Sequence, residues 1–204
     1  MILEINAEYP QPHQISRVVE SLKDGRVIAY PTDTTYGIGC SIFCKKGIER
    51  IYQMKQRDRR KPFSIICSSL SEISRYARVS NSAFKIIKRY LPGAYTFVFE
   101  ATRDVPDLLL TRQKTVGIRM PDNRICCDLV SALGNPIITT SANLSGEEPE
   151  GDPRVIADTF GTQLDFVIDG GILSTDVSSV VSLIGPVPEV LRAGLGDVSW
   201  CGIQ

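Results

Sequence analysis

Residues 26–39 read RVIAYPTDTTYGIG. Val27 to Tyr30 is an apolar run too short for a helix, and Pro31 halts it because proline brings no N–H to a sheet ladder. The run reads as a buried strand, which needs cover from other elements. The sequence on either side supplies that cover.

Upstream, Ile15, Val18, Val19 and Leu22 recur at helical spacing, and Gly25 marks the end of that helix. Downstream, a helix over 45–54 turns Ile48, Ile51 and Tyr52 inward, and FSIIC (63–67) reads as a second strand. Helices over 70–77 and 81–91 follow, the latter with Phe84, Ile87 and Leu91 on one stripe, until Pro92-Gly93 ends it. YTFVFEA (95–101) alternates as a strand does, and TVGIR (115–119) can pair beside it. A helix over 123–133 stops at Gly134, and the strand PIITT (136–140) comes next. Asp152-Pro153 is an N-cap followed by proline at the first helical position, opening a helix to Phe160. DFVID, SSVVSL and PEVLR supply three late strands. Helices alternate with strands throughout without a linker, so the expectation is a single α+β domain, residues 1–204, with a mixed sheet covered by helices.

Charge excludes several partners. Lysines plus arginines equal aspartates plus glutamates at 23 each, so no global field draws the protein to nucleic acid or membrane. No apolar run approaches the roughly 20 residues that cross a bilayer, and MILEINAEYP lacks the pattern of a secretory signal. The cytoplasm is the expected compartment. Six cysteines (40, 44, 67, 126, 127, 201) include no CxxC pair and are expected to be reduced. Cys40 and Cys44 could start a zinc site, but His13 is the only histidine and no second pair follows at ligand spacing, so no metal site is expected. One histidine in a Pro- and Gln-rich opening also disfavours a nucleophilic triad.

Four polar segments interrupt the pattern, each at the end of a strand or helix, where open α/β sheets place ligands. PTDTTYGIG (31–39) crowds hydroxyls and glycines into a loop. By itself it is either a ligand loop or a turn bonding its own backbone. From Lys45 to Lys61 eight basic residues (45, 46, 50, 55, 57, 59, 60, 61) face only Glu49 and Asp58, a net +6 in a neutral chain. Lys55 and Arg57, one residue apart, point the same way on an extended segment and suit a polyphosphate. Such a run is equally the mark of a solvated face. TVGIR puts Thr115, Gly117 and Arg119 on one strand face, and a sheet arginine either pairs with an acid or awaits an anion. ITTSANLSG (138–146) ends a strand in hydroxyls and Asn143, a cradle for an oxyanion or a capped turn. No Walker A loop and no GxGxxG follows a strand, so ATP, if bound, needs another architecture.

In this order and spacing PTDTTYGIG, KQR (55–57), TVGIR, SANLSG (141–146) and LRAG (191–194) resemble the motif set of the YrdC/YciO family, over residues 12 to 198. The opening EYPQPHQ and the segment PGAYTFVFEAT are more similar to its YciO branch. Differences from the catalytic members are Asp58 after the K-x-R pair, Val177 in place of an acid before Ser178-Ser179, and Ile66 or Cys67 where some relatives place a histidine. The resemblance implies a YrdC-like fold, a twisted mixed parallel/antiparallel sheet flanked by helices, with a deep concave site. It implies condensation of L-threonine, bicarbonate and ATP, with Mg²⁺ accompanying ATP, into threonylcarbamoyl-adenylate and pyrophosphate. The carbamoyl group then passes to tRNA with partner proteins. Carried over by residue, Lys55, Arg57, Ser141 and Asn143 match the catalytic constellation. Thr34, Arg119 and Ser178 match threonine contacts, and Arg57, Lys61, Thr115, Thr139, Ser141 and Arg192 match ATP contacts. The other reading is a module that holds double-stranded RNA or tRNA on the same basic face without chemistry.

Overall fold

The structure, a computed structural model, describes residues 1–59, 61–110 and 112–202. Ten strands form one sheet: β1 (Ile2–Glu4), β2 (Ile28–Tyr30), β3 (Gly37–Gly39), β4 (Ser64–Ile66), β5 (Tyr95–Glu100), β6 (Thr115–Arg119), β7 (Ile137–Ser141), β8 (Phe166–Asp169), β9 (Ser179–Ser182) and β10 (Glu189–Arg192). Their order is β1-β8-β2-β3-β7-β4-β6-β5-β9-β10. Pairings β1/β8, β2/β8, β4/β6 and β5/β9 are parallel, and the other five are antiparallel. The helices are α1 (Pro12–Lys23), α2 (Lys45–Met54), α3 (Leu70–Tyr76), α4 (Asn81–Tyr90), α5 (Arg124–Leu133) and α6 (Pro153–Phe160). The α+β architecture read from the sequence is the one observed.

β2 explains the continuous apolar run that opens the argument. Ile28 and Tyr30 join the core under α1 and α5, while Val27 and Ala29 join the larger core under α2, α3, α4 and α6. Both faces are covered, so alternation vanishes. Local signals set the helix ends. Asn123 Oδ1 accepts from Cys126 N at 3.0 Å to start α5, and Gly134, at φ +76°, closes it in the left-handed region that glycine tolerates. Pro12 at the first position opens α1.

Two differences from the sequence expectation stand out. β3 occupies the last three residues of the loop read as PTDTTYGIG, fully buried between β2 and β7. A Cβ at Gly39 would lie 2.0 Å from the Ile138 carbonyl oxygen, so glycine permits the close approach that conceals the strand's pattern. On α4, Phe84 is 40% exposed instead of turned inward; Ala83 and Ile87 form the buried stripe.

Candidate active site

A cleft of about 140 Å³ opens over the middle of the sheet. The loop before β3 contributes Thr34 to Gly37, β4 contributes Ser64, β5 Thr96, β6 Arg119, β7 Thr139 to Ser141, the segment before β9 Ser178, and β10 Arg192. Small residues hollow the floor. A Cβ on Gly117 would stand 2.8 Å from Ser64 Oγ and 3.2 Å from Thr96 Cγ2, so a side chain there would fill the space.

The inner end is built on Arg119, which is 8% exposed. Its Nη2 donates to Asp33 Oδ1 at 2.8 Å and to Thr34 Oγ1 at 2.9 Å. The second Asp33 oxygen accepts from Asp122 N at 3.1 Å, fixing the carboxylate. Arg119 Nε is buried without a hydrogen-bond partner among the described residues. The guanidinium thus both pairs with an acid and keeps a donor in reserve, combining the two alternatives that the strand pattern left open. Thr34 is itself held by its neighbour, since Thr34 N donates to Thr32 Oγ1 and Thr32 Oγ1 donates to Thr35 O at 2.6 Å. Tyr36 anchors the loop from behind, its hydroxyl donating to Gly171 O at 2.8 Å and accepting from Gly170 N at 3.1 Å. Burial pushes that phenol up to about 12, so it stays a neutral donor.

The rim carries two more guanidiniums. Arg57 Nε and Nη2 donate to the carbonyl oxygens of Lys61 and Pro62 at 3.0 and 3.1 Å, and the group stacks over Phe63. Arg192 Nη2 donates to Ser178 O at 2.8 Å. Among the described residues neither makes an ion pair. Burial lowers both from the usual arginine range, and Arg119 adds to the effect at Arg192. Three cations therefore converge on one cleft, and of these Arg119 is paired with a carboxylate, that of Asp33. Ser178 Oγ and Thr96 Oγ1 are 2.9 Å apart and both buried, and Thr139, also buried, lines the cleft from β7. Thr96 was absent from the residues singled out by sequence; its only signal is an inward polar side chain on an otherwise apolar strand.

The structure brings Thr34, Arg57, Arg119, Thr139, Ser141, Ser178 and Arg192 to the cleft. Lys55 stands elsewhere. The extended segment expected to aim Lys55 and Arg57 together is instead the C-cap of α2, with Gln56 at φ +49°. Lys55 is 1% exposed, and its Nζ donates to the carbonyls of Ser141 and Asn143 and, at 3.3 Å, to Asn143 Oδ1. It ties the SAN turn to α2. Burial lowers it from 10.5 to about 7, with Arg57 contributing. Asn143 is likewise occupied: its Nδ2 donates to Leu144 O and Glu147 O, and its Oδ1 accepts from Ser141 Oγ. Lys61 is exposed, and Thr115 lines a neighbouring groove that shares Pro62 with the cleft. Arg60, part of the basic run, lies outside the described residues. Among the described residues no group of three metal-ligating side chains occurs and no helix is long and apolar enough to cross a membrane.

Residues 20–194 match the family model of Sua5, YciO and YrdC, described as "Telomere recombination". The chain belongs to this family. The Escherichia coli protein YciO is 41% identical over 196 residues, and its crystal structure superposes with a TM-score of 0.95 over 98% of each chain. A Haemophilus influenzae protein is 42% identical over 198 residues, 96% of each chain. Pyrococcus abyssi Sua5, solved with L-threonine, superposes with a TM-score of 0.89 at 28% identity, covering 95% of this chain and 57% of its own. A threonylcarbamoyl-AMP synthase from the same archaeon is 30% identical over 175 residues, 85% of this chain and 52% of that one. The family thus includes threonylcarbamoyl-AMP synthases, and the YciO proteins match this chain along nearly its full length.

Proposed function

We propose that the cleft binds a small amino acid, L-threonine, together with ATP, and that the protein joins them with bicarbonate into threonylcarbamoyl-adenylate, releasing pyrophosphate. The observation that carries this reading is the convergence of Arg57, Arg119 and Arg192 on hydroxyl-lined space with one paired carboxylate. Likeness to a relative solved with L-threonine supports the amino acid.

The threonine carboxylate sits at Arg119, with Thr34 and Ser178 beside it. The triphosphate lies along the rim against Arg57 and Arg192, with Thr139 and Ser141 as neutral donors. The outer groove, with Thr115 and Lys61 near its mouth, takes the rest of the nucleotide. Attack of an ionised acid oxygen on the α-phosphorus brings two anions together, so alignment and charge cancellation carry the catalysis and no histidine base is required. Mg²⁺ would accompany ATP and help neutralise its phosphates; Asp33, engaged by Arg119 and Asp122 N, is not free to hold it. Lys55 and Asn143 act through the turn that presents Ser141. The threonylcarbamoyl group is then transferred from the adenylate to tRNA with partner proteins, and AMP leaves.

The RNA-holding alternative asks for a continuous basic surface. Here the segment is broken: Lys55 is buried, Arg50 is paired with Asp165 at 2.8 Å, and Arg57 turns into the cleft. Lys45 and Lys46 stand at one end of α2 and Arg59 and Lys61 past the other, roughly 15 Å away along a helix of this length.

The deciding assay mixes protein, L-threonine, bicarbonate and Mg-ATP. Threonine-dependent pyrophosphate is expected, and Arg57→Ala or Ser141→Ala should lower turnover by about 10²–10³ with an unchanged melting temperature. ADP and orthophosphate as products would rule out adenylation.

A further inference from the structure

At the N-terminal end of α2, two cysteines share one small space. Cys40 leaves β3, Cys44 caps the N-terminus of α2, and a turn joins them, with Cys44 N donating to Ser41 O at 2.9 Å. We propose that Cys40 and Cys44 form a thiol-modification site that is oxidised by hydroperoxides and closes to an intramolecular disulfide.

The geometry rests on two glycines. A Cβ on Gly47 would stand 2.8 Å from Cys40 Sγ and 3.1 Å from Cys44 Sγ, so both sulfurs crowd against the same backbone atom. A Cβ on Gly25 would stand 2.9 Å from Cys44 Sγ. Both residues leave room only for sulfur, and Cys40 is fully buried while Cys44 borders a recess of about 400 Å³. Lys23 and Asp24 face that recess from the end of α1, and Lys45 and Lys46 from the first turn of α2. The surroundings are net positive and suit an anionic sulfur at a helix N-terminus.

The two thiols are differentiated. Cys44 Sγ accepts from Gly47 N at 3.2 Å and, as a thiol, donates to Gly25 O at 3.4 Å. Its neighbour Cys40, the N–H groups of Gly47 and Lys46, and the Lys46 charge hold it down at about 6 against the opposing effect of burial. The neighbouring Cys44 and burial push Cys40 up. Burial pushes Cys67, Cys126, Cys127 and Cys201 up as well, so Cys44 is the described cysteine prepared to attack.

In the first step the Cys44 thiolate attacks the peroxide. An S–O bond forms, the O–O bond breaks, and hydroxide leaves; sulfur loses two electrons to become a sulfenic acid. Cys40 then surrenders its proton to that hydroxide and attacks the Cys44 sulfur. The S–S bond forms, the S–O bond breaks, and the sulfenic oxygen departs as hydroxide, which takes from solvent the proton that Cys44 released on ionising. One hydroperoxide consumes two thiols.

Both cysteines fall on one tryptic peptide, residues 27–45, which simplifies the test. The full chain is treated with one equivalent of hydrogen peroxide, alkylated and digested without reductant. The expected product is that peptide, unalkylated and lighter by two hydrogens. Cys40→Ser should stop at a sulfenic acid that dimedone captures at Cys44. Cys44→Ser, which keeps a good helix cap and should melt like wild type, should leave Cys40 a thiol. Alkylation of Cys44 followed against pH should have its midpoint near 6. Oxidation of another cysteine first, or Cys44 passing to the sulfinic acid while Cys40 remains free, would overturn the proposal.

Discussion

The inner end of the cleft and its rim use the same side chain on opposite terms. Arg119 is buried and compensated, held by Asp33 at 2.8 Å and by Thr34. Arg57 and Arg192 are tethered to carbonyl oxygens, which orient a guanidinium without cancelling its charge. A buried Arg–Asp pair presents little net charge and selects by shape and hydrogen bonding. Oriented, unpaired arginines present a field to polyphosphate. On the proposed function the small acid takes the inner end and the phosphates take the rim, and that division can be broken by experiment.

The largest effect should come from the inner pair. Asp33→Ala leaves Arg119 buried and uncompensated, which costs about 3–5 kcal/mol of stability. The melting temperature should fall steeply, and isothermal titration should show altered threonine affinity even where folding is retained. A melting temperature equal to wild type would mean that the inner arginine is no more compensated than the rim pair.

Lys55 extends the comparison to a third basic group, one that touches neither ligand region. Lys55→Met takes the lysine donor from the carbonyls of Ser141 and Asn143. Ser141 O keeps Asn143 N at 3.1 Å, and a buried acceptor left unmade, as at Asn143 O, costs about 1–3 kcal/mol. Its folded-state value, about 7, lies below the 10.5 of the unfolded chain. Between those values the unfolded chain holds more protons than the folded one, so this group makes stability rise with pH by up to about 1.4 kcal/mol per unit. Below about 7 both states are protonated and its slope vanishes. Chemical denaturation at several pH values, wild type against Lys55→Met, isolates the contribution: the difference in slope should appear above 7 and be absent below.

The sheet was legible because its signals are local. Apolar runs, the Asn123 and Asp152 caps, Gly134 and the Pro92-Gly93 stop each act within a few residues, and they mark the α+β alternation well. β3 escaped because three residues of Gly-Ile-Gly carry no period. Phe84 escaped because the buried stripe of α4 runs through Ala83 and Ile87, and a small alanine gives a weak signal beside a phenylalanine. At the cleft, hydroxyls and arginines at strand ends marked the ligand face, and seven of them meet there. Lys55 escaped for a more general reason. A lysine among arginines reads as solvated, and only the tertiary position of two carbonyls, 86 and 88 residues away in sequence, makes burial tolerable. Asp33 was visible only as one polar residue among many, because its partner Arg119 is equally distant in the chain.

The smallest effect should belong to Lys61, and it tests where the rim ends. Its side chain is exposed and lies outside the cleft, while its carbonyl oxygen is what Arg57 Nε grips. The backbone contact survives any side-chain substitution, so Lys61→Ala should leave Arg57 in place. Stability should change by no more than about 0.5 kcal/mol, as at other surface positions. An exposed lysine can still meet the nucleotide phosphates as a mobile charge, worth at most about tenfold in affinity. KM for ATP should therefore rise by less than that factor, the rise should shrink as salt screens the charge, and kcat should hold. A loss of kcat approaching that of Arg57→Ala would place Lys61 against the reacting phosphate. The rim would then extend beyond the cleft, and the division between compensated and uncompensated cations would have to be redrawn around three groups at the phosphates instead of two.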